Sequence, residues 1–230
     1  MAILCREIGL LLLQAPHTGS TSLGTLLRRE LGGEMLLEDR VRDGDGRIVL
    51  RQKHQTLAQL MEAGLITPEE REGLLVVVGV RNPFDLVLTE YARSREAGAI
   101  SRTQRWLRRL PNRPADFSSR DFERFVARRY RPGLLVRLAG RKPFVPLDWT
   151  AGADHVIRFE RMQAGLDEAL RRVGVGEPHR LPHRNPTESR RDLDYRTIYT
   201  SRARAIVADA YARELLRFGY SFEQGPAPEG

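Results

Sequence analysis

"LLLLQAPHTGSTSLGTLL", residues 10–27, is the stretch whose reading decides the fold. A run of leucines ends at Gln14-Ala15-Pro16, a polar stretch of Thr, Gly and Ser follows, and a leucine-periodic segment resumes at Leu23. That is the layout of a strand, a tight loop and a helix. Such a loop suits an anion, because the first backbone N–H groups of a helix lack intrahelical partners and the helix dipole is positive there. The nucleoside-triphosphate form of the device is G-x-x-x-x-G-K-[ST]. Here the first glycine is missing, no lysine follows Gly19, and His17 stands where a fixed positive charge is expected. A triphosphate loop is therefore disfavoured, and the bland alternative is a tight turn with no ligand.

Working outward, Leu23, Leu26, Leu27 and Leu31 form one helical stripe, stopped by Gly32-Gly33. Residues 34–54 read as two short strands around an Asp-Gly turn at Asp43–Gly46. "TLAQLMEAG" (56–64) is a short helix, and "TPEEREG" (67–73) starts another with Thr67 as cap and Pro68 in first position. "LLVVVGVRNP" (74–83) has the continuous apolar character of a strand covered on both faces. Helices follow at "FDLVLTEYARSREAG" (84–98) and at "SSRDFERFVARRY" (118–130), the latter with Phe122, Phe125 and Val126 inward. "HVIRFE" (155–160) is a further strand, "RMQAGLDEALRRVG" (161–174) a helix, and the last helix spans Ser201–Phe218. Strands alternate with helices, which predicts an α/β fold: a mostly parallel central sheet with helices on both faces, in one domain over 1–222. Residues 223–230, Pro- and Gly-rich, are expected to form a flexible tail.

The chain has 230 residues, a formal net charge of +8 and a pI near 10.3, a balance that favours anionic partners. Lysine occurs only at Lys53 and Lys142, so the basicity is almost all arginine and chain-wide, which weakens it as a functional signal. A single cysteine, Cys5, excludes an internal disulfide and suits a reducing compartment. The apolar stretch 8–13 reads as a buried strand, too short for a membrane span, so a soluble, cytoplasmic protein is expected, with no membrane partner.

A second candidate site lies at "RNPFDLVLTEY" (81–91). Arg81 ends the valine-rich strand and Thr89 falls in the second turn of the next helix, so fork and hydroxyl can grip one phosphate together. The alternative is an arginine capping the sheet and a threonine facing solvent.

Together, "APHTGSTSL" (15–23) and "RNPFDLVLTEY" resemble the two cofactor motifs of the sulfotransferases that use 3′-phosphoadenosine-5′-phosphosulfate. The first is similar to that family's 5′-phosphosulfate loop, P-K-x-G-[ST]-[ST]-x-L; the second is similar to its 3′-phosphate motif, an Arg followed eight residues later by Ser or Thr. "KHQTLAQL", "VIRFERM", "LPHRNPT" and "YARELLRFGYSF" resemble segments of the carbohydrate-type branch in the expected order. The resemblance is weakest over 95–149. It implies a P-loop-like sulfotransferase fold and a sulfuryl donor held by Pro16, His17, Thr18, Gly19, Ser20, Thr21, Ser22, Arg81 and Thr89. The leaving product would be adenosine 3′,5′-bisphosphate, with no metal required and a glycan or small molecule as acceptor.

His17 occupies the position of the family's lysine, which stabilises the leaving phosphate; a protonated imidazole can donate there, and an anion favours that charged form. His54, between a strand end and a helix, stands where the family's histidine base is found, with Lys53 beside it and Glu38 and Asp39 in reserve. A surface histidine is the alternative. His179 and His183 straddle Leu181-Pro182 in a loop with no third ligand, so no metal site is expected; His155 reads as structural. Arg184 belongs to the late loop 183–190, which resembles the family's nucleotide-covering loop without assignable contacts.

Fourteen arginines lie between Arg93 and Arg141, either a solvated face or a groove for an anionic or polyhydroxylated acceptor. Three other functions stand beside sulfuryl transfer: a nucleotide-binding relative without turnover, suggested by His17; a small-molecule kinase, opposed by the missing lysine; and an arginine-rich nucleic-acid module. The last lacks any reader motif, so no nucleic-acid partner is expected.

Overall fold

The computed structural model describes residues 2–37, 39, 41–42, 44–45, 48–50, 54–103, 118–131, 143–182 and 193–224. Two compact units make up the chain: Met1–Arg81 with Leu147–Asn185, and Asn82–Pro146 with Pro186–Gly230.

The first unit is α/β. Its elements are β1 (Ala2–Cys5), β2 (Leu10–Leu13), α1 (Ser20–Glu30), β3 (Glu34–Met35), β4 (Val41–Arg42), β5 (Ile48–Leu50), α2 (Leu57–Glu62), α3 (Pro68–Glu72) and β6 (Leu75–Val80). The segment that returns to this unit carries β7 (His155–Arg158) and a helix beginning at Met162. Five strands form a sheet in the order β3-β1-β2-β6-β7, and β4 pairs with β5 separately. Pairings β2/β6 and β6/β7 are parallel, whereas β1/β2 and β1/β3 are antiparallel.

The sheet is thus mixed, not mostly parallel as the alternation of strands and helices predicts. The correction comes from β1, an AILC strand that the sequence reading passes over. It turns back through residues 6–9, where Gly9 takes φ 63° and its N–H meets the Arg6 carbonyl at 3.2 Å. A connection that short joins only antiparallel strands. The turn also takes Ile8 and Gly9 out of the predicted strand, which begins at Leu10.

Side chains alternate across β2 and explain why its leucine run is buried throughout. Leu10 and Leu12 pack with Leu23, Leu26 and Leu27 of α1 and with Leu166, Ala169 and Leu170. On the opposite face, Leu11 and Leu13 pack with Leu57 and Leu60 of α2 and with Ile66. Helices therefore flank the sheet on both faces, as expected. The helix carrying Leu166 is α6 (Met162–Arg172), which follows α4 (Pro83–Thr103) and α5 (Ser119–Tyr130) of the second unit in chain order.

The second unit is helical in its described residues: α4 (Pro83–Thr103), α5 (Ser119–Tyr130), α7 (Ser201–Ala210) and α8 (Ala212–Phe218). The last two replace the single helix expected over Ser201–Phe218, because Tyr211 leaves helical geometry at φ −114°, ψ 23°. Its hydroxyl sits 3.2 Å from that of Tyr130. Tyr130 also meets Glu90, which pairs with Arg129. Burial raises the Glu90 carboxyl in spite of Arg129, and burial pushes the Tyr211 hydroxyl up to about 12. Among the described residues, no helix is long and apolar enough to cross a membrane.

Candidate functional site

The parallel strands β2, β6 and β7 end at one edge of the sheet, where Gln14, Arg81 and Phe159 follow them. In open α/β sheets this carboxyl edge is where ligands gather.

The loop from Gln14 to Gly19 is built from its own residues. Thr18 Oγ1 and Ser20 Oγ both donate to the Ala15 carbonyl at 3.0 Å. Gln14 reaches across with Nε2 to the Ser20 carbonyl at 2.8 Å. Gly19 caps α1 at φ 73°, in the left-handed region where a side chain is strained. A Cβ there would also fall 2.3 Å from Met162 Sδ and 3.1 Å from Phe159 Cδ2. On the other side Gly79 of β6 admits the loop, since a Cβ there would lie 2.8 Å from Thr18 Oγ1. The first turn of α1 carries no acidic side chain, so its dipole faces the loop without a compensating charge. Pro16 and His17 are half-buried, Thr18, Ser20 and Ser22 are buried, and Thr21 is exposed.

Two long-range side chains come to this loop. Arg81 Nη1 donates to the His17 carbonyl at 3.1 Å, and the Arg81 guanidinium stacks over the Phe159 ring, 3.8 Å from its centroid. His54 Nδ1 lies 2.8 Å from the Gln14 carbonyl oxygen. A carbonyl only accepts, so Nδ1 carries the proton and the basic nitrogen of the neutral ring is Nε2. His54 is exposed, and Trp149 stands edge-on to it with centroids 6.2 Å apart. The capping box of Thr56 and Gln59 fixes the start of α2 directly after it.

Among the described residues, His17 at φ 59° and His54 at φ 64° are the non-glycine residues with positive φ. Each such residue costs on the order of 1–3 kcal/mol and persists where its surroundings over-determine it. Both candidate histidines are therefore held in place by the fold.

Compared with protein-family models, curated proteins and solved structures, the chain matches none of them.

The sequence expectation places His54 between a strand end and a helix, at the carboxyl edge of the sheet. In fact β5 belongs to the separate β4–β5 hairpin, yet His54 still reaches the carboxyl edge through Gln14. Thr89 lies in the second unit, buried within α4, with Oγ1 donating to the Asp85 carbonyl at 2.9 Å. Asp39 is exposed, and Glu38, Lys53, His183, Arg184 and the loop 183–190 lie outside the described residues. His155 Nε2 donates to the Gly165 carbonyl at 3.0 Å, a structural bond, and His179 Nδ1 pairs with Glu30 at 2.7 Å. Sequence reasoning missed Gln14, Phe159 and Trp149. Phe159 sits inside the quoted "VIRFERM" without a role, and nothing local to any of the three signals its partner.

Proposed function

We propose that this protein is a sulfotransferase of P-loop-like fold, moving a sulfuryl group from 3′-phosphoadenosine-5′-phosphosulfate to a hydroxyl of a glycan or small-molecule acceptor. The observation that supports it best is the convergence of Arg81 and His54 on the backbone of the Gln14–Gly19 loop. A cation, a base and a helix N-terminus share one sheet edge.

The loop suits the donor's charged end, with one change of roles from the sequence expectation. Thr18 and Ser20 direct their hydroxyl protons at Ala15, so they shape the loop, and the backbone N–H groups at the start of α1 are the donors for an anion. Residues Pro16–Ser22 would hold the 5′-phosphosulfate. Arg81 would hold the 3′-phosphate through its bidentate fork of N–H donors. Thr89 joins that assignment on sequence spacing alone.

The donor supplies an activated sulfuryl group: its sulfur–oxygen bond to phosphate breaks as the bond to the acceptor oxygen forms. His54 Nε2 takes the acceptor's proton, while Nδ1 stays fixed on Gln14. His17, protonated, and the dipole of α1 offset the charge that builds on the departing phosphate oxygen. Preorganised groups of this kind need no reorganisation at the moment of transfer.

Thermal unfolding with adenosine 3′,5′-bisphosphate, ATP or a short DNA duplex tests the class of function. At a hundred times its Kd the bisphosphate adds about 2.7 kcal/mol to stability and raises Tm by several degrees. Stabilisation by ATP alone points to a kinase, and by DNA alone to a nucleic-acid module.

A further inference from the structure

Trp149 stands beside the imidazole of His54, and the turn that carries it is closed by hydrogen bonds. Trp149 N–H meets the Leu147 carbonyl at 3.0 Å, and Ala153 N–H meets that of Thr150 at 3.1 Å. Asp148 Oδ1 accepts both Thr150 N–H at 3.0 Å and Thr150 Oγ1–H at 2.7 Å. The indole packs partly onto the core that contains Leu57 and Leu60 of α2, the helix whose capping box follows His54. The imidazole is held on the Gln14 carbonyl, and the indole rests on that core. Leu147, two residues before Trp149, is 54% exposed.

From this arrangement we infer that Trp149 forms the acceptor wall of the site and selects an acceptor hydroxyl carried on an uncharged ring. The inference rests on the proposed transfer reaction, in which His54 takes the acceptor's proton. An indole offers a flat apolar face to the C–H face of a sugar or to an arene. It offers nothing to a carboxylate or sulfate, and Asp148, adjacent in the turn, repels one. A ring lying against Trp149 would be close to the imidazole, whose centroid is 6.2 Å from that of the indole. The shared chemistry is an uncharged six-membered ring bearing a hydroxyl, whether sugar or phenol.

Saturation-transfer NMR in the presence of adenosine 3′,5′-bisphosphate tests it with three probes: methyl β-D-glucopyranoside, phenol and methyl β-D-glucuronide. The wild-type protein is expected to bind the glucoside or phenol, and which of them binds separates sugar from arene. Trp149→Leu should weaken that binding about fivefold or more, with Trp149→Phe retaining most of it. Calorimetry with adenosine 3′,5′-bisphosphate on each variant, expected to match wild type, confirms folding and an intact nucleotide site. Equal ring binding in wild type and Trp149→Leu overturns the inference, as does a preference for the glucuronide or no ring binding at all. If the nucleotide fails to bind wild type while ring binding still depends on Trp149, the transfer reaction falls and the ring site stands.

Discussion

Arg81 Nη1 donates to the carbonyl oxygen of His17 across 3.1 Å, joining the end of β6 to the loop after β2. The bond orients the loop's backbone, and the stack on Phe159 holds the guanidinium flat. Arg81 thus has a positioning role toward the loop in addition to its proposed hold on a phosphate.

Removing it has two measurable consequences. Arg81→Ala is expected to cost roughly 2–4 kcal/mol of adenosine 3′,5′-bisphosphate binding, the scale for losing a charged partner in a partly buried site. Arg81→Lys keeps the charge but not the fork, and should recover only part of that loss. Calorimetry showing Arg81→Ala within twofold of wild type removes Arg81 from the site.

His17 is expected to work in its protonated form. Turnover should fall on the alkaline side as the imidazole loses its proton, and His17→Lys should flatten that fall, since lysine stays charged across the neutral range. A His17→Ala variant with unchanged turnover at every pH excludes the role.

His54→Ala should lower turnover on the order of a hundredfold or more while nucleotide affinity stays close to wild type. The acid limb of the pH–rate profile should disappear with it, because a base must be neutral to accept a proton. Added imidazole should restore part of the rate. A loss of nucleotide binding equal to the loss of rate makes His54 a structural support of the Gln14 carbonyl instead.

Much of this site was legible in the sequence, and the rest was not, for a physical reason. The loop announces itself by composition: a leucine run, a proline, hydroxyls and a glycine before the helix. Arg81 is marked by its place at the end of a valine-rich strand. The mixed sheet was not legible, because AILC and LLLL look alike whether they run in parallel or turn back in a hairpin. Phe159 under Arg81 and Trp149 beside His54 are contacts between positions 78 and 95 residues apart. Such pairs leave no period in the local sequence. The positive φ of the two histidines was equally hidden, since only a few per cent of non-glycine residues take it.

The lone cysteine gives a check on the fold that does not depend on function. Cys5 is fully buried at the end of β1, and burial pushes its thiol up to about 11 from 9.0. A raised value means the native state holds this proton more tightly. The group's contribution to stability is therefore present at neutral pH and is lost as pH rises from 9.0 toward about 11. With Ellman's reagent at neutral pH, the native protein should show almost no thiol and the unfolded protein one per chain. Rapid native labelling contradicts the placement of β1 inside the sheet.

Calorimetric titration with adenosine 3′,5′-bisphosphate, adenosine 5′-monophosphate and magnesium ATP bears most directly on the central claim. The account predicts that the bisphosphate binds at least about tenfold more tightly than either, a difference of about 1.4 kcal/mol for the 3′-phosphate held by Arg81. Equal binding of the bisphosphate and the monophosphate, or tighter binding of ATP, would contradict it.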